Sequence, residues 1–207
     1  MLYRKWHSEQ LNMEQVSGLQ QSLGISSLLA KVLVSKGATC REKAREMFFE
    51  TLQLSDPYLM KDMDKAVTRI LSAVDNGEKI VIYGDYDVDG VCATATLFTC
   101  LENMGANVFY KLPNREKDGY GLNADILQSL KNKGVDLVVT VDNGIAAISE
   151  VEFANSIGLD IIITDHHLPK GEIPNALAVV DPLRADDTSP CKTLCGAGVA
   201  FKLVCAL

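Results

Sequence analysis

The chain has 207 residues, 47% of them hydrophobic and 23% charged, with 15 glycines and 6 prolines. This is ordinary globular composition and excludes a disordered or collagen-like polymer. Twenty Lys and Arg stand against 27 Asp and Glu, a formal charge of −7, so the surface as a whole attracts neither nucleic acid nor anionic lipid and suits divalent cations better than phosphate.

Residues 1–10 carry charges and a tryptophan but no apolar signal core. No apolar run approaches the roughly 18 residues of a membrane span, so no membrane association is expected. Six cysteines, at 40, 92, 100, 191, 195 and 205, are scattered without metal-site spacing. They read as buried free thiols in a reducing compartment, which predicts a cytoplasmic protein.

In chain order, residues 1–55 read as a small helical N-terminal segment. Leu28, Leu29, Val32 and Leu33 recur at helical spacing. A further helix opens at Thr39 or Cys40 and carries Ala44, Met47 and Phe48. Asp56-Pro57 punctuates the chain, and residues 56–207 form a second domain. Its first helix, Leu59–Val74, places Met63, Ala66, Val67, Ile70 and Leu71 on one face and stops at Asn76-Gly77.

An alternating pattern follows: strand candidates at Lys79–Tyr83, Asn107–Leu112, Val135–Val141, Asp160–Thr164 and Ala178–Val180, with helices near Val91–Asn103, Asn123–Lys131 and Ala146–Ser156. Continuous apolar strands alternating with helices predict an α/β fold, a doubly wound, mostly parallel sheet covered on both faces.

In such sheets ligands bind beyond the carboxyl ends of the strands. There the first strand delivers Asp85, Asp87 and Asp89, the third Asp142, the fourth Asp165, His166 and His167, and the fifth Asp181. If the first segment stays extended, its three acids share one side. Carboxylates crowded in this way repel unless a cation neutralises them or some take up protons. Oxygen donors with one or two imidazoles suit Mn²⁺ or Mg²⁺, with Zn²⁺ or Fe²⁺ possible. Two metals about 3.5–4 Å apart would activate water against phosphorus.

Competing motifs fail on spacing. The Asp85–Gly90 run begins like a calcium loop, but its twelfth position is Thr96 and a strand precedes it. Gly119 to Ala124 imitates a dinucleotide fingerprint without a preceding strand. No phosphate-binding P-loop exists, and His166-His167 does not suit a phosphoacceptor receiver domain.

Asp85-Tyr86-Asp87-Val88-Asp89-Gly90, Val141-Asp142-Asn143-Gly144 and Asp165-His166-His167 resemble the first three motifs of the DHH phosphoesterases. Leu59–Asp64, Pro113-Asn114-Arg115, Gly119–Asn123 and Gly196–Leu203 extend the likeness to the branch that degrades single-stranded DNA. The resemblance implies 5′-to-3′ exonucleolytic hydrolysis of single-stranded DNA with Mn²⁺ or Mg²⁺, in repair and recombination. It implies Asp87, Asp89, Asp142 and His166 as metal ligands, Asp142 bridging two ions, and Asp85 as a weaker ligand. His167 would lie beside the scissile phosphate, Asp165 would orient the histidines, and Asn114 and Arg115 would contact phosphate.

Relatives carry a fourth acidic motif, then a DHH-associated domain and an OB fold that grips DNA. Here Leu207 ends an apolar helical stretch, so the expectation is an N-terminal part with an incomplete metal site, monomeric, in which Asp181 does not replace the fourth motif. Two alternatives stay open: a phosphoesterase for pyrophosphate, oligonucleotides or a cyclic dinucleotide, and a non-catalytic interaction module that keeps the fold alone.

Overall fold

The computed structural model describes residues 10–48, 54–113 and 121–207. The described residues fall into two compact units that divide between Leu54 and Ser55.

The first unit holds α1 (Met13–Leu23), α2 (Ser27–Ser35) and α3 (Arg41–Phe48). Asn12 and Ser26 cap the first two helices by accepting backbone N–H groups of the first turn, which satisfies donors that the helix itself leaves unpaired. The core is Val16, Leu19, Ala30, Leu33, Val34, Ala38 and Ala44. Leu28, Leu29 and Val32, expected inside with Leu33, are exposed, as is Met47. The α2 sequence is apolar nearly all round, so periodicity does not single out its buried face.

In the second unit a 3-10 turn, Pro57–Leu59, precedes α4 (Met63–Asp75). The helix starts four residues later than its apolar pattern, because Asp62 sits at φ 61° and breaks the run. Then follow β1 (Lys79–Tyr83), α5 (Val88–Asn103), β2 (Asn107–Lys111), α6 (Ala124–Asn132), β3 (Leu137–Val141), α7 (Ile148–Ser156), β4 (Asp160–Thr164), β5 (Ala178–Val180) and α8 (Gly196–Ala206). The strands lie in the order β2-β1-β3-β4-β5 with every pairing parallel. The order reverses between β1 and β3, the doubly wound arrangement that the alternation predicts.

Alternate strand residues feed two cores, as the twofold period of a strand requires. Ile80, Ile82, Leu137, Val139, Val141, Ile162 and Val180 pack with α4, α5 and α8. Val81, Tyr83, Val138, Ile161, Ile163 and Val179 pack with α6 and α7. Burial on both faces explains why these strands read as unbroken apolar runs.

All six cysteines are free, but only Cys191 is buried; Cys40, Cys92, Cys195 and Cys205 are exposed. The expectation of buried thiols therefore fails at these four positions. They occupy turns and outer helix faces, where a small side chain follows neither period into the core. Among the described residues no helix is long and apolar enough to cross a membrane.

Candidate metal centre

The parallel register lines up the acids. Tyr83 pairs with Thr140, Val141 with Thr164, and Thr164 with Val180. Counting on from these pairs puts Asp85, Asp142, Asp165 and Asp181 in one row across the tops of β1, β3, β4 and β5, at strand spacings of about 4.8 Å. All four are buried, at 4%, 2%, 1% and 0% exposure. Asp181, expected at this rim from β5 but not as a replacement for the fourth acidic motif, completes the row.

Asp87 and Asp89 arrive differently from expectation. The chain does not stay extended after β1: Asp87 accepts the Gly90 N–H and caps α5, which begins at Val88 rather than near Val91. A Cβ on Gly90 would lie 2.6 Å from the backbone N of Asp85, so this tight return of the loop requires glycine. The three acids therefore approach Asp142 and His166 from a loop and a helix start rather than from one face of an extended strand. Asp85 and Asp87 still reach Asp142, with one oxygen of each lying within 4.8 Å of the others. Asp89, in the first turn of α5, accepts the N–H groups of Gly196 (2.7 Å) and Ala197 (2.8 Å) at the start of α8. Burial pushes its carboxyl up, but those two N–H groups, with the Cys195 side chain and the nearby His166, outweigh it and hold the group below the usual carboxylate range.

A second donor set, Asp142, His166 and His167, meets the same 4.8 Å criterion and shares Asp142 with the first. His166 Nε2 lies 3.0 Å from Asp142 Oδ1 and 3.5 Å from Asp89 Oδ2. Asp142 itself takes the left-handed backbone conformation, φ 62°, a conformation that Asp tolerates better than most residues. Its Oδ1 is buried and has no partner besides the His166 ring nitrogen. Burial first, then the charges of Asp89 and Asp87, push its carboxyl up to about 7. An oxygen stripped of water and faced by like charges calls for a proton or a cation. The oxygen and imidazole donors around it fit a hard divalent ion.

Asp165 faces away from that role. Its Oδ1 accepts the backbone N–H of His166 and His167 and meets His167 Nδ1 at 2.7 Å, and its Oδ2 accepts the Ile145 N–H. With both oxygens engaged, Asp165 fixes the His167 ring and the His166 backbone and does not present a donor of its own. The hydrogen bond to Asp165 raises His167 to about 9, so this ring is cationic near neutrality, with Nε2 left for another partner.

Asp181 Oδ1 accepts the Leu183 N–H, while its buried Oδ2 has no partner; burial pushes the group up to about 6. Sequence reasoning also missed the N–H groups of Gly196 and Ala197, since backbone donors leave no residue-type signal beyond small side chains. Asn114, Arg115, Gly119 and Tyr120 lie outside the described residues.

Residues 79–206 match the DHH family, N-terminal domain, and the chain belongs to this family. Within it, the relatives are single-stranded-DNA-specific exonucleases called RecJ. The Bacillus subtilis protein is 43% identical over 98% of this chain and 26% of its own length. The Escherichia coli protein is 37% identical over 87% of this chain and 31% of its own length. A crystal structure of exonuclease RecJ bound to manganese superposes with a TM-score of 0.67 at 34% identity, covering 76% of this chain and 39% of that one. RecJ from Thermus thermophilus in complex with Mn²⁺ gives 0.69 at 28% identity, covering 95% and 27%. The chain thus spans roughly a quarter to a third of the length of these curated relatives.

Proposed function

We propose that this chain carries the metal-dependent phosphodiesterase centre of a 5′-to-3′ exonuclease acting on single-stranded DNA. The observation that carries the reading is the gathering of Asp85, Asp87 and His166 around Asp142, whose buried Oδ1 meets only the His166 ring nitrogen. RecJ relatives are described with Mn²⁺, and Mg²⁺ suits the same oxygen-rich donors.

In this reading Asp87, Asp89, Asp142 and His166 would hold the metal, with Asp142 common to both donor sets and Asp85 supporting the first. Bound there, two Mn²⁺ or Mg²⁺ ions supply Lewis-acid activation of water and stabilisation of the leaving oxygen. The chain's own residues do the positioning. Asp165 locks the His167 ring through Nδ1, so its Nε2 presents a cationic donor to a non-bridging phosphate oxygen. The α8 amino terminus orients Asp89. Asn114 and Arg115 take the neighbouring phosphate. A DHH-associated domain and an OB fold, expected from the resemblance, supply most of the basic DNA surface that a chain of charge −7 does not offer.

The test is hydrolysis of end-labelled single-stranded DNA with Mn²⁺, run beside duplex DNA, pyrophosphate and a cyclic dinucleotide. Mononucleotide release from the 5′ end, absent in Asp142→Asn, is the expected result. Mn²⁺-dependent cleavage confined to the small substrates contradicts the exonuclease assignment. Failure to cleave anything, whether alone or within a longer polypeptide carrying the DNA-binding domains, favours a non-catalytic module.

A further inference from the structure

The turn that carries Asp142 is tied to three strands. Asp142 and Gly144 both take positive φ, 62° and 111°, and Asn143 between them is buried. Asn143 Nδ2 donates to the Tyr83 carbonyl at the end of β1 (3.1 Å) and to the Val141 carbonyl at the end of β3 (3.0 Å). The Asn143 carbonyl accepts from Thr140 Oγ1 (2.7 Å), and the Thr140 carbonyl accepts from Thr164 Oγ1 of β4 (2.7 Å). The Asp142 N–H closes the set on the Thr164 carbonyl. Asn143 Oδ1, by contrast, is buried without a partner among the described residues. A position that needed only bulk would not keep a dry acceptor, so the amide is held here for its two N–H donors.

Asp85, Asp87 and Asp142 each bring one oxygen to within 4.8 Å of the others. Carboxylates this close repel one another, so their backbones have to hold them together. The ladder between β1 and β3 runs to the Tyr83–Thr140 pair, short of the acids. Asn143 extends the tie past that ladder with neutral donors, which add no charge to the acidic rim. We infer that Asn143 is a positioning residue of the candidate metal centre: its amide joins the ends of β1 and β3 and thereby fixes the approach of Asp85 and Asp87 to Asp142. The inference rests on the metal-centre reading and adds to it a residue that itself binds no ion. A residue that served stability alone would lower the Tm and leave the ion affinity as it was.

The experiment is calorimetric titration with Mn²⁺ of the unaltered chain, Asn143→Ala, Thr140→Val, Thr140→Ser and Arg184→Ala, each verified as folded by near-ultraviolet circular dichroism. Asn143→Ala is expected to bind about tenfold or more weakly, the scale of loss when contacts that support metal ligands are removed. Thr140→Val, close to isosteric, removes the hydroxyl that holds Asn143 and is expected to lose affinity in the same direction. Thr140→Ser keeps that hydroxyl and is expected to restore the affinity. This pair carries the test where Asn143→Ala does not fold. Arg184→Ala, destabilised outside this network, is expected to bind as the unaltered chain does. Equal affinity in folded Asn143→Ala and the unaltered chain, or in Thr140→Val and Thr140→Ser, overturns the inference and leaves the metal reading standing. An equal loss in Arg184→Ala also overturns it, because lowered stability would then account for the effect. No Mn²⁺ binding by the unaltered chain overturns the inference and the metal reading together.

Discussion

Gly196 and Asp142 touch without room for one more carbon: a Cβ on Gly196 would lie 2.4 Å from Asp142 Oδ1. The contact joins the first turn of α8 to the residue shared by both donor sets. The same turn holds Asp89 through two N–H groups, so α8 braces two candidate ligands from outside.

Gly196→Ala is therefore expected to displace Asp142 or lift α8 off Asp89, weakening Mn²⁺ binding about tenfold or more by calorimetry, in line with losses from altered supporting contacts. The fold should persist, because α8 retains Val199, Ala200 and Leu203 in the core. Unchanged Mn²⁺ affinity would show that the helix start yields to the added methyl.

His167 owes its high pKa chiefly to the hydrogen bond with Asp165. In Asp165→Asn the imidazole should titrate well below about 9, toward its ordinary 6.5. An NMR pH titration of the ring resonances in metal-free protein reads this directly. Equal midpoints in the two proteins would remove Asp165 as the cause.

The acid row sets the pH dependence of the metal-free protein. Asp142 and Asp181 titrate at about 7 and about 6 when folded, above their ordinary 3.8. The native state keeps protons that the unfolded chain has released, so stability falls as pH rises from about 4 to about 7. His167 acts in the same direction at higher pH: its contribution is full below about 6.5 and is lost as pH climbs through about 9. The lowered carboxyls of Asp62, Asp89 and Asp187 act oppositely, losing their contribution only as pH falls below their ordinary 3.8. The Tm of metal-free protein should thus be higher near about pH 5 than near about pH 8. A Tm rising over that interval would contradict these shifts.

The segment after β5 is anchored at a distance from the site. Arg184, nearly buried, donates to Asp62 Oδ2 (2.7 Å) and to the Val179 carbonyl, and forks onto Asp186. Arg184→Ala removes the guanidinium from Asp62 but leaves it paired with Lys65 (2.7 Å), so the expected loss is about 1.5–3 kcal/mol, that of hydrogen bonds to a charged group. Urea denaturation measures it, and a loss below about 1 kcal/mol, the ordinary value of a surface pair, would mean that water replaces the arginine.

The α/β class was legible because β1, β3, β4 and β5 are buried on both faces, so β-branched runs such as Lys79–Tyr83 and Asp160–Thr164 stand out from helical periods. The site was legible as a set of residue types at strand ends. Its geometry was less so. How Asp85, Asp87 and Asp89 reach the site depends on where α5 begins, and the Asp87 cap replaces the extended segment by a helix start. The acid row is a property of strand register, which brings together residues from four separated segments. Asp181 was legible as a strand-end acid, and the pairing of Thr164 with Val180 sets it directly beside Asp165.

The most direct measurement of the central claim is calorimetric titration of the chain with Mn²⁺, in the unaltered form and as Asp142→Asn. The two donor sets share Asp142, so the account predicts micromolar-to-millimolar binding that Asp142→Asn abolishes while the fold is retained. No binding by the folded unaltered chain, or equal binding by both proteins, would contradict it.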